Sequence, residues 1–212
     1  MKFAESMLRL YAVTDRSWLG TQALAQQVEQ ALRGGATCVQ LREKELNDTD
    51  FLAEAKELKI LCARYGVPLI INDNVELALE VDADGVHVGQ EDMNAQDVRG
   101  LIGPGKILGV TAKTIEQAQK AQLNGADYLG SGAVFGSTTK PNARPMSREL
   151  LQTICASVSI PVVAIGGIHR GNIASLAGTG IRGAAVVSGI FAAADIEEEC
   201  FRLRAEIDRI VK

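Results

Sequence analysis

The chain has 212 residues, 47% of them apolar and 23% charged, with a net charge of −4. That is the composition of a globular domain with room for one sizeable core. The acidic balance argues against a nucleic-acid partner held by phosphate contacts, and no stretch approaches the run of about 20 apolar residues that a membrane span needs. A small anionic ligand stays compatible, because a pocket can be cationic on an acidic protein.

The start, "MKFAESMLRLYAVTD", is broken by charges too early for a secretory signal. From there, short β-branched runs alternate with helical segments. The strand candidates, in order, are "LRLYAVT", "CVQLRE", "PLIIND", "GVHVGQ", "KILGVTA", "DYLGSGAVF", "PVVAIGG" and "GAAVVSG". They lack clean polar alternation, as strands buried on both faces do. Between the second and third, Phe51, Ala55, Leu58, Cys62 and Tyr65 form a helical stripe that Asp48 or Thr49 is expected to cap. Ile196, Cys200, Leu203, Ile207 and Ile210 form another near the end. Several helices stop at Gly before re-entering a strand, as in "RGGATCVQL", "RYGVPLII" and "NGADYLG". Eight strand–helix units over this length predict an α/β fold, a (β/α)8 TIM barrel, in one domain over 1–212. A doubly wound sheet is the alternative. The four cysteines, Cys38, Cys62, Cys155 and Cys200, form no CxxC pair and are read as buried thiols, which predicts a cytoplasmic protein.

A barrel carries its chemistry at the C-terminal ends of its strands. There the sequence places Gln40, Arg42, Glu43 and Lys44 after strand 2, then Asn72, Asp73 and Asn74 after strand 3. Gly89 to Asp92 follow strand 4, Thr111 closes strand 5, and the loop "FGSTTKPNARP" follows strand 6. Three constellations result. Asp73 and Asp92 end neighbouring strands, about 4.8 Å apart, and suit a shared Mg2+ whose other positions go to water and phosphate. Each also suits a helix N-cap. Arg42, Lys44 and Lys140 offer cations for phosphate, with Glu43 and Glu45 readable as a solvated face. Gly166-Gly167 and Ser188-Gly189 end strands 7 and 8, the usual barrel phosphate position, and Ser137, Thr138 and Thr139 add hydroxyls. His87 reads as a packed, hydrogen-bonded residue, and no serine–histidine or cysteine–histidine arrangement suggests a nucleophile.

The motifs "QLREK", "IIND", "GVHVGQED", "GVT", "ADYLGSGAVFGSTTKP", "VVAIGGI" and "AAVVSGI" resemble, in order and over almost the whole chain, those of the thiamine-phosphate synthase family. The resemblance implies condensation of hydroxymethylpyrimidine diphosphate with a thiazole phosphate, releasing diphosphate by a dissociative, Mg2+-assisted substitution. It implies that Gln40, Leu41, Arg42, Glu43, Lys44, Asn72, Thr111 and Lys140 hold the pyrimidine diphosphate, with Arg42, Lys44, Lys140 and Thr111 serving the reaction. Ser137, Thr138, Thr139, Gly167, Val187 and Ser188 would hold the thiazole phosphate, and Asp73 and Asp92 the metal. Departures are Thr111 where serine is usual, Ser131 for valine and Gly136 for proline. The implied partners are small phosphorylated substrates, with no nucleic acid or membrane, and a homodimer is allowed. A thiazole tautomerase of a related barrel family and a non-catalytic phosphometabolite binder are the alternatives.

Overall fold

The computed structural model describes residues 2–136 and 145–211. Eight parallel strands close into a barrel in sequence order, and the first pairs with the last. They are β1 (Leu10–Val13), β2 (Cys38–Leu41), β3 (Leu69–Asn72), β4 (Gly85–Val88), β5 (Ile107–Thr111), β6 (Tyr128–Gly132), β7 (Val162–Ile165) and β8 (Gly183–Val186). The helices α1 (Leu24–Arg33), α2 (Asp48–Arg64), α3 (Val75–Glu80), α4 (Ala95–Ile102), α5 (Ile115–Leu123) and α6 (Arg148–Ser157) follow the first six strands in turn. A single 3-10 turn, Ile173–Leu176, stands between β7 and β8, and α7 (Ser188–Phe191) and α8 (Ile196–Ile210) end the chain. The expected eight-fold repeat is therefore incomplete at its seventh crossover. The sequence there, "GGIHRGNIASLAGTG", holds too few apolar positions at helical spacing for a longer helix.

Strand alternation sorts the core into two bodies. Leu10, Val39, Leu41, Leu69, Ile71, Val86 and Leu108 point outward and pack against the helices. Tyr11, Val13, Cys38, Ile70, Ile107, Tyr128 and Val163 point inward and fill the barrel.

Local signals act as expected at the glycines and differ at some caps. Gly35, Gly66 and Gly125 have φ of 96°, 66° and 86°, the left-handed turn that ends a helix before a strand. The cap of α2 is Asn47, whose side chain accepts from the Asp50 amide, so neither Asp48 nor Thr49 serves. The buried face of α2 runs Phe51, Ala55, Leu58, Leu61 and Cys62, and Tyr65 is a half-exposed C-cap beyond it. All four cysteines are free; Cys38, Cys62 and Cys200 are buried and Cys155 is partly so. No helix among the described residues is long and apolar enough to cross a membrane.

Candidate active site

The sequence order sets the mouth in motion at β1. Thr14, one residue past that strand, is fully buried and straddles the β2–α2 loop: its hydroxyl accepts from the Arg42 amide at 3.0 Å and donates to the Arg42 carbonyl at 3.3 Å. Arg42 is thereby pinned at its backbone. No hydrogen bond or ion pair among the described residues engages its guanidinium. Two residues on, Lys44 pairs with Asp73 at 2.8 Å.

Asp73 occupies the left-handed region, with φ 62°. A non-glycine residue is rarely placed there, although Asp tolerates it better than most. Its amide donates to the His87 carbonyl at 2.8 Å and the next amide folds back onto Asn72, so the chain turns sharply as β3 ends. The turn brings the Asp73 carboxyl up against that of Asp92, close enough for each to shift the other's titration. Burial raises the Asp73 carboxyl, but Lys44 and Asp92 outweigh it and hold it below the usual range. Asp92 moves the other way: burial and the facing Asp73 raise it, against the Gly89 amide that donates to it at 2.7 Å. Neither aspartate caps a helix. Asn74 caps α3 and Asn94 caps α4, which leaves both carboxylates for the mouth.

The remaining residues expected at this site divide. Gln40 lies inside the barrel, and its Nε2 donates to the Tyr11 hydroxyl at 2.7 Å. Asn72 ends β3 on the same inward side, in register with His87. Thr111 ends β5, where its hydroxyl meets His87 Nε2 at 3.0 Å and its carbonyl accepts from the Gln90 amide group. The side chains of Leu41 and Glu43 are directed elsewhere, so a contact of either with the diphosphate would fall to its backbone. Leu41 is fully buried in the outer layer, where alternation from Gln40 puts it. Glu43 turns under its own loop, where it pairs with Arg16 and accepts from the amides of Lys44 at 2.6 Å and Glu45 at 2.7 Å.

Arg16 reaches on to Glu54 of α2 at 2.7 Å, so a carboxylate–guanidinium–carboxylate clamp supports the loop that carries Arg42 and Lys44. Burial raises the Glu54 carboxyl, and its Oε2 has no partner among the described residues. Thr14, Arg16 and Glu54 were not anticipated. The signal for Thr14 and Arg16 is the "TDR" that ends strand 1, whereas Glu54 carries no signal beyond a charged helix position.

On the opposite rim the backbone does the work. Gly166 and Gly167 have φ of 102° and 63°. A Cβ on Gly167 would lie 2.8 Å from the Phe135 carbonyl oxygen, so only glycine lets the β6 and β7 loops pass this closely. Asn172 binds the turn at two points, donating to the Gly167 carbonyl at 2.9 Å and accepting from the His169 amide at 2.9 Å. Val187 follows β8 and Ser188 opens α7, whose first amides have no intrahelical acceptor. Ser137, Thr138, Thr139 and Lys140 lie outside the described residues.

Two converging carboxylates with no third His, Cys, Asp or Glu beside them, among the described residues, are hard oxygen donors in a number that suits Mg2+ sharing its sphere with substrate oxygens. The closed barrel and its charged mouth define an enzyme of the class that handles small anionic substrates. A family model described as thiamine monophosphate synthase matches residues 10–190. The thiamine-phosphate synthase of Ruminiclostridium cellulolyticum is 51% identical over 92% of this chain and 92% of that protein. That of Clostridium tetani is 48% identical over 92% of this chain and 93% of its own. The thiamine phosphate pyrophosphorylase of Pyrococcus furiosus superposes with a TM-score of 0.90 at 37% identity, covering 98% of this chain and 99% of that one. The chain belongs to the thiamine monophosphate synthase family, and it is a transferase of thiamine biosynthesis.

Proposed function

We propose that the chain, as a single TIM-barrel domain over 1–212, joins hydroxymethylpyrimidine diphosphate to a thiazole phosphate. The C–O bond from the pyrimidine methylene to the diphosphate breaks, and its electron pair leaves with the diphosphate. The thiazole nitrogen lone pair then forms the new C–N bond, giving thiamine phosphate. No proton moves in either step, which suits a mouth of charge clamps without a nucleophile–base pair.

The observation that carries this reading is the 51% identity to a thiamine-phosphate synthase over 92% of the chain. The Lys44–Asp73–Asp92 cluster supports it. Asp73 and Asp92 would hold Mg2+, which supplies positive charge to the departing diphosphate. Arg42 and Lys44 do the same from the protein side, Arg42 as a fork and Lys44 as a point charge. Gln40 and Asn72 orient the pyrimidine. Gly167, Val187 and Ser188 receive the thiazole phosphate, and Ser137, Thr138, Thr139 and Lys140 complete the two anion sites. The free cysteines support a cytoplasmic location. A thiazole tautomerase would have no use for the Lys44–Asp73–Asp92 cluster, and nothing favours a non-catalytic binder. The test is to mix both phosphorylated substrates with the protein, with and without Mg2+, and measure diphosphate. Release that depends on Mg2+ is expected, and no release in either mixture would remove the reading.

A further inference from the structure

The barrel interior contains a polar chain whose middle members, Tyr11, Tyr128 and His87, the reaction above does not use. Gln40 Nε2 donates to the Tyr11 hydroxyl at 2.7 Å. Tyr11 and Tyr128 hydroxyls are 2.7 Å apart, Tyr128 lies 3.0 Å from His87 Nδ1, and His87 Nε2 lies 3.0 Å from the Thr111 hydroxyl. Members come from β2, β1, β6, β4 and β5, so the chain crosses the barrel below its mouth. Both tyrosines are fully buried, and burial raises their pKa well above the usual range, which keeps them as neutral hydroxyls. The space is reserved for it: a Cβ on Gly109 would overlap the Tyr128 hydroxyl and His87 Nδ1.

A hydroxyl has one proton and can accept more than once, so the direction of such a chain is set by satisfaction: a buried O–H left without an acceptor is costly. Tyr11 accepts from Gln40 and so donates to Tyr128. Tyr128 accepts from Tyr11 and so donates to His87 Nδ1. The imidazole then carries its proton on Nε2 and donates to Thr111. Thr111 is left with its own proton for the mouth, and Gln40 with its Oε1. Reversing a link part-way leaves a buried hydroxyl proton without an acceptor in the chain, and that cost couples the two ends.

Resting on the synthase reading, we propose that Tyr11, Tyr128 and His87 are positioning residues that set the polarity of substrate recognition. The chain presents an acceptor at Gln40 for the pyrimidine amino group and a donor at Thr111 for a diphosphate oxygen. Filling either end favours the orientation that the other end requires.

Two measurements test this. Nitrogen-15 NMR of the imidazoles, with His169→Gln to assign the second of the two histidines, reads which His87 nitrogen carries the proton. Nε2–H is expected in the wild type and a mixture of tautomers in Tyr128→Phe; Nδ1–H in the wild type would overturn the proposal. Calorimetry with inorganic diphosphate and Mg2+ compares the wild type, Tyr128→Phe, Thr111→Val and the double variant. Tyr128→Phe should weaken binding by about threefold to tenfold, and the double variant should bind no worse than Thr111→Val alone. Losses that multiply would overturn the relay while leaving the synthase reading intact; a wild type that neither binds nor releases diphosphate would remove both. Tyr11→Phe breaks the chain one link earlier, and the same non-multiplying pattern is expected if Tyr128→Phe does not fold.

Discussion

The two sides of the mouth are built from different material. From β2 to β4 the surface is side chains: Lys44 on Asp73, Asp73 on Asp92, and Glu43 under the loop. From β7 to β8 it is backbone, with left-handed glycines in close contact with a neighbouring loop. A side-chain site can lose one group and keep its shape. The glycine turns have no group to remove and fail only when something is added. The two halves should therefore respond to opposite kinds of substitution.

The largest expected effect is on the carboxylates. Asp92→Asn should lower turnover about 100-fold or more, the scale of losing one electrostatic stabiliser, with thiazole-phosphate affinity changed less than about twofold. Equal loss of both quantities would erase the division of the mouth. Asp73→Asn should act alike on turnover without lowering the melting temperature, because Asn also tolerates the left-handed turn. Next comes the backbone side. Gly167→Ala forces a Cβ against the Phe135 carbonyl at a φ of 63°, and should weaken thiazole-phosphate binding and cost about 1–3 kcal/mol in a denaturant titration, while diphosphate affinity holds.

A smaller effect is expected from the clamp. Arg16→Ala should raise KM for the pyrimidine diphosphate by about tenfold with a lesser change in kcat, since it frees the loop without touching the leaving group. The clamp also has an acid limit. Burial raises Glu43, but the Glu45 and Lys44 amides and Arg16 outweigh it and hold its carboxyl below the ordinary value of 4.5. A lowered native pKa means stability that is full above the unfolded value and fades as pH falls through the native one. Melting temperatures followed downward from pH 6 should show this loss in the wild type and a flatter profile in Glu43→Gln. Smallest is the response of the cysteines. Burial pushes the Cys62 and Cys200 thiols up to about 12 and Cys155 to about 11, so alkylation at pH 8 should be slow and leave activity unchanged until the protein is unfolded.

Much of this was legible in the chain. Apolar runs bounded by glycine turns give all eight strands, and Arg42, Lys44, Asp73, Asp92 and Thr111 stand at or just past strand ends, as their place after each apolar run predicts. What escaped depends on contacts between distant segments. The Glu43 side chain turns under its own loop because Arg16 approaches it from the end of β1, and nothing within "QLREK" shows that approach. The polar relay is spread over five strands, so no local spacing encodes it, although the place of His87 within an apolar run marks it as a bonded interior residue. Asn47 prevails over Asp48 as the cap because the helix begins one residue earlier than composition suggests.

The ring closes only when its last segment arrives. β1 hydrogen-bonds to β8, and α8 packs so tightly on α1 that Gly34 has no room for a Cβ beside Glu197 and Cys200. Arg9 and Gly35, near the beginning, bond to Val211 and Arg204 near the end. During synthesis, the edge of the first strand stays open while some 170 further residues emerge, a long interval for an unpaired edge. A ribosome stalled before residue 183 would hold a split barrel, with its first strand free to pair with another chain.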